Sequence, residues 1–153
     1  MRKKREIIKI KNLLVCVDDS DEFIEAIEFA CKNAEKNRMG LILLNVIEEE
    51  NFRHWKGVEN IMKREQKDKA KEVLNKYINY VNENFKLEVK SHIKSGEKLE
   101  VLLDVIGNKK FNIKYLILGL SMKKTENNRI ISSLTGSLRK KLTLPIIIVP
   151  GKL

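Results

Sequence analysis

The sequence predicts an α/β fold: one three-layer domain with a five-stranded parallel sheet, covered by helices on both faces. Three observations predict it. Apolar runs alternate strictly with amphipathic stretches along the 153 residues, in the order β-α-β-α-β-α-β-α-β. The runs Ile10 to Val17 (IKNLLVCV) and Leu41 to Ile47 (LILLNVI) are rich in large aliphatics, as strands covered on both faces must be. A strand ending at Gly119 leads through a polar loop into a helix, the place where α/β sheets commonly hold phosphate. Right-handed crossovers and a reversal of strand order between the first and fourth strands give the order 3-2-1-4-5.

The elements follow in turn. A basic arm, residues 1–9, precedes the domain, residues 10–153. The first strand ends at Asp18-Asp19-Ser20, where Ser20 suits a helix cap and Asp21 and Glu22 suit the positive end of the helix. That helix runs to about Asn37 with Phe23, Ala26, Ile27, Ala30 and Ala34 on one face. Gly40 breaks the pattern before the second strand. A charged loop with His54 and Trp55 leads to the longest helix, about Val58 to Phe85, whose buried stripe is Ala70, Val73, Leu74, Tyr77, Ile78 and Val81. Leu87 to Ile93 alternates as a half-exposed edge strand does. Gly96 turns the chain into a short helix with Leu99, Leu102, Leu103 and Ile106 inward. Tyr115 to Leu118 is the fourth strand, and Gly119 lets the backbone turn sharply. Ile131, Leu134, Leu138 and Leu142 recur at helical spacing, and Pro145 opens the last strand, Ile146 to Val149.

Composition narrows the function. Hydrophobic residues make 42% and charged residues 34%, a globular balance rather than a disordered one. No apolar run approaches the ~20 residues of a membrane span, and the basic start lacks the apolar region of a signal peptide; a cytoplasmic location is expected. The net charge of +10 raises nucleic-acid contact as an alternative. The Lys and Arg residues are dispersed, however, without an aromatic RNA-binding motif or zinc spacing, so a solvated basic surface is the expectation. Cys16 and Cys31 read as reduced core residues, and His54 and His92 have no metal-ligand spacing. No nucleophile–base context, Walker A loop or G-x-G-x-x-G fingerprint is present, so no catalytic residue and no enzyme activity are expected.

Taken together and in order, several of these segments resemble the universal stress protein family. Asn12-Leu-Leu-Val-Cys-Val-Asp-Asp-Ser20 is similar to its first strand, Leu43-Leu-Asn-Val-Ile-Glu48 to its second, and Ala26 and Ala30 to its first helix. Gly96, Leu116-Ile-Leu-Gly119 and Leu144-Pro-Ile-Ile-Ile-Val149 match further landmarks. Arg53 to Glu59 and the ending Pro145 to Leu153 look like a branch of small bacterial members that lack the nucleotide signature. The resemblance implies an adenine nucleotide alpha hydrolase-like fold. ATP-binding members carry Gly, two residues, Gly, nine residues, Gly, then Ser or Thr. Gly119 takes the first position, but Met122 and Ser132 take the second and third, followed by a matching Ser133; Gly136-Ser137 comes four residues too late. The resemblance thus implies Val17, Asp18, Val46, Gly119, Met122, Ser132 and Ser133 as the nucleotide-binding positions, with ATP or AMP disfavoured by the two lost glycines. It also implies a homodimer through Ile146, Ile147, Ile148 and Val149. The expected function is stress response through an unidentified protein partner, with a nucleotide switch or a basic nucleic-acid-binding module as alternatives.

Overall fold

The computed structural model describes residues 10–17, 23–48, 56–120 and 126–151. Five parallel strands lie in the order β3-β2-β1-β4-β5: β1 (Asn12–Cys16), β2 (Gly40–Ile47), β3 (Val89–Ser95), β4 (Ile113–Leu120) and β5 (Ile146–Pro150). Four α-helices alternate with them: α1 (Ile24–Asn37), α2 (Lys56–Asn84), α3 (Lys98–Gly107) and α4 (Glu126–Thr135). Fold class and strand order are those the sequence predicts.

The period of two along each strand sorts the side chains into two cores. Leu13, Val15, Leu41, Leu43 and Ile117 pack under α1 and α2, against Ala26, Ile27, Ala30, Leu74, Tyr77 and Val81. Leu14, Cys16, Ile42, Leu44, Leu116 and Leu118 pack under α3 and α4, against Leu102, Val105, Ile106, Ile130 and Leu134. β1 serves both, being bonded to β2 on one side and β4 on the other. The Asn12 amide donates to the Phe111 carbonyl at 2.7 Å and ties the entrance of β1 to the turn before β4.

Several element ends differ from the sequence reading. α1 has no side-chain cap at Phe23, and the proposed cap Ser20 lies outside the described residues. It is Arg38, in the left-handed region at φ 55°, that ends α1; its N–H donates to the Ala34 and Glu35 carbonyls. Gly40 is instead the first residue of β2, where a Cβ would run into the Asn12 side chain. β3 sits two residues later than expected, at Val89–Ser95. In α3, Val105 is buried while Leu99 and Leu103 are only half-buried. Leu138 and Leu142 keep helical spacing but lie beyond α4, which closes when the Leu138 N–H donates to the Ser133 carbonyl at 2.9 Å. Arg139–Lys141 then forms a separate 3-10 turn.

Gly119 corrects the sequence reading most sharply. It is no turn residue: β4 continues to Leu120, and Gly119 pairs with Val149 within the regular ladder. What requires glycine is the Phe23 ring at the start of α1, which a Cβ on Gly119 would meet at 3.1 Å. The missing side chain lets an aromatic ring close the end of the core. Gly119→Ala should therefore lower stability by ~1–3 kcal/mol through overpacking, read as a lower denaturation midpoint with an unchanged slope. An unaltered midpoint would show that Phe23 swings aside without cost.

Candidate functional site

In a sheet of this kind the crevice for ligands lies beyond the carboxyl ends of the strands, where the order reverses between β1 and β4. The main chain at this edge is firmly tied. The Val17 N–H donates to the Leu44 carbonyl at 2.8 Å, and the Gly96 N–H to the Ile47 carbonyl at 3.0 Å. Gly96 has φ 140°, a conformation glycine adopts freely, and from it the chain enters α3.

A cleft of about 260 Å³ opens on this edge between the start of α3 and α4, lined by Glu48, Glu97, Lys98, Leu99, Arg129, Ile130 and Ser133. Glu97 caps α3: its carboxylate accepts from the N–H groups of Leu99 at 3.2 Å and Glu100 at 2.8 Å. Lys98 follows as the first helical residue and is only 4% exposed. Its ammonium has no hydrogen bond or ion pair among the described residues. A cation at the positive end of a helix runs against the helix dipole, and here the Glu97 carboxylate caps the same turn. Lys98, the Arg129 guanidinium and the Ser133 hydroxyl line one wall system suited to an anionic oxygen group, against the carboxylates of Glu48 and Glu97.

Of the sequence-predicted nucleotide positions that are described, Ser133 alone lines the cleft. Val17 faces the core under α1, whereas Val46 packs on the α3 and α4 side, so the sheet separates their side chains. Gly119 packs against Phe23. Ser132 is exposed on α4, and its carbonyl accepts from the Gly136 N–H at 3.0 Å. Gly136 belongs to this helix end, since a Cβ there would approach the Ser132 carbonyl oxygen at 2.8 Å. Asp18 and Met122 lie outside the described residues. Sequence reasoning missed Lys98, Arg129, Glu48 and Glu97. The signal for Lys98 was its place: a cation in the first turn of a helix runs against the helix dipole.

A second cavity, about 620 Å³, lies at the opposite edge, among Lys11, Leu13, Lys114, Tyr115, Pro145 and Ile147. It adjoins the amino ends of the strands and so stands apart from the crevice. Cys31 is buried, and burial, then Glu35 and Glu28, push its thiol up to about 12, which leaves it an inert core group. Among the described residues no cluster of three or more His, Cys, Asp or Glu side chains is placed to hold a metal, and no helix is long and apolar enough to cross a membrane.

Lys98→Met should be neutral or stabilising in thermal melts, since it replaces an unpaired buried cation by an apolar side chain of similar length. A large loss of stability would reveal that the ammonium has a partner.

A model of the universal stress protein family matches residues 9–150. No curated protein matches the chain. The universal stress protein UspA from Lactobacillus plantarum superposes with a TM-score of 0.71 at 19% identity, over 92% of this chain and 98% of that one. A universal stress protein from Archaeoglobus fulgidus in complex with dAMP gives 0.65 at 16% identity, over 93% and 98%. One from Arabidopsis thaliana with AMP bound gives 0.64 at 16%, over 93% and 92%.

Proposed function

The chain belongs to the universal stress protein family, and from that premise we propose that it serves in stress response as a homodimer working through protein contacts in the cytoplasm, without tight ATP binding and without catalysis. The observation that carries this reading is the difference between the two edges of the sheet. β3 carries Lys90 and Lys94 within VKSHIKS, the kind of charge that keeps an edge from pairing with its own copy. β5 is IIIVP and carries none. Ile147 and Val149 turn toward the α1 core and Ile146 toward the α4 side. Ile148 is left 40% exposed and Leu120 38% exposed. An unprotected apolar edge is an aggregation hazard unless a partner covers it, and a second β5 would cover it.

Burying an isoleucine side chain is worth ~1.5–3 kcal/mol, so a charge at position 148 should break such a dimer while sparing the fold. Light scattering should give a dimer for the unmodified chain at micromolar concentration and a monomer for Ile148→Lys, with similar melting temperatures. Ile147→Lys is a poorer test, because that side chain also packs on the α1 core. A monomeric unmodified chain removes the dimer from this reading.

The second reading is a nucleotide switch. It is favoured by the cleft that brings Ser133 beside Lys98 and Arg129, and by relatives seen with dAMP and AMP. Against tight binding stand Met122 and Ser132 in place of two glycines, where ATP-binding members let backbone N–H groups approach the phosphates. Calorimetry should show AMP and ATP binding no more tightly than about 1 mM, or roughly −4 kcal/mol, and Lys98→Ala should remove the residual heat. Submicromolar binding would make the nucleotide switch the better reading.

A further inference from the structure

β3 is bonded to β2 alone, and the outward main-chain groups of Val89–Ser95 have no partner among the described residues. Lys90, His92 and Lys94 stand opposite Ile42, Leu44 and Val46, which places them on the face that carries α3. Successive members of this row are spaced by about 6.6 Å, two residues along a strand. Phe111, in the turn before β4, borders the row: its ring meets His92 edge-on with centroids 4.9 Å apart, and the Lys94 ammonium lies 5.9 Å from its centroid. Burial, then the charges of Lys94, Lys90 and Lys110, lower the His92 pKa. Lys110, from the turn before β4, thus joins Lys90 and Lys94 of one strand in a basic patch. No carboxylate lies within β3. Glu88, just before it, reaches Lys90 at 3.6 Å with both side chains more than half exposed, a contact weak enough to be exchanged.

Lysines on an edge oppose a second copy of the same strand, since like charges set across a strand pair destabilise it. They favour a strand of the opposite charge. We propose that the β3 edge docks an extended acidic segment of a partner protein, which adds as a sixth strand and sets carboxylates at alternate positions against Lys90 and Lys94. The main chain of the edge supplies hydrogen bonds, and the matched period of two supplies selection. A single-stranded nucleic acid would meet the same cations but would leave the open main chain of β3 unused. The inference deepens the protein-contact reading and rests on it.

The test uses the full chain and a fluorescein-labelled seven-residue peptide of alternating Val and Asp, matched to the length of β3, followed by anisotropy. Saturable binding is expected, weakened at least about tenfold by Lys90→Glu with Lys94→Glu. A similar loss is expected when prolines replace two valines of the peptide, because proline has no N–H to donate. Absence of saturable binding overturns the proposal. So does equal binding of the proline peptide, which would mean charge alone, or equal binding of an oligothymidylate that displaces the acidic peptide. Light scattering on the same samples separates the two readings. A dimer that ignores the peptide defeats the β3 site alone, whereas a monomer defeats the β5 contact.

Discussion

β1 is hydrogen-bonded on both sides and buried on both faces, and the rest of the fold is arranged to make that true. Leu14, Val15 and Cys16 are fully shielded from solvent. A strand so enclosed needs a neighbour on each side, here β2 and β4, each reached by a crossover helix. Parallel neighbours demand such crossovers, and right-handed ones place α1 and α2 on one face and α3 and α4 on the other once the strand order reverses. Two cores result that share a sheet but hardly a side chain. The close approach of Phe23 to Gly119 closes the first core at the same edge where the cleft opens beside the second.

From the enclosed centre outward the two sides of the sheet diverge. On one side, β3 carries Lys90 and Lys94 on one face, both exposed. On the other, β5 is wholly apolar, and Ile148 is left 40% exposed. One edge carries lysines; the other offers no charge at all. A sheet with both edges apolar would polymerise, and one with both edges basic would have no ready means of self-association. The asymmetry gives the two ends of one sheet different surfaces.

The architecture was legible because two-sided burial writes itself into composition: strands enclosed like LILLNVI cannot alternate, and the helices between them must. What was not legible depends on contacts between distant residues. Leu138 and Leu142 satisfy a helical period, yet the bond from Leu138 to the Ser133 carbonyl ends the helix before either joins it. Arg38 takes the left-handed conformation with no side-chain type to announce it. A glycine needed for a turn and a glycine needed for a neighbouring ring are the same letter, so Gly119 read as the first when it is the second. Lys98 went unread, because the residues that line the cleft with it include Glu48, Arg129, Ile130 and Ser133, all distant in sequence. The candidate site was therefore half read. Its edge of the sheet and Ser133 were found, and its buried cation was not.

That cation changes what the crevice can do. A glycine-rich loop binds phosphate with several backbone N–H groups held in fixed directions, so recognition is both strong and specific. Here the N–H groups of Leu99 and Glu100 in the first turn of α3 are already taken by the Glu97 carboxylate. That carboxylate also offsets the positive end of the helix. An anion entering the cleft would rely on Lys98, Arg129 and Ser133 against the opposing charges of Glu48 and Glu97. An ammonium on a four-carbon stem supplies charge with little direction, and the net field of two cations and two carboxylates is small. The two sheet edges differ from the crevice in kind, since their main-chain groups and side-chain period are both fixed by the fold.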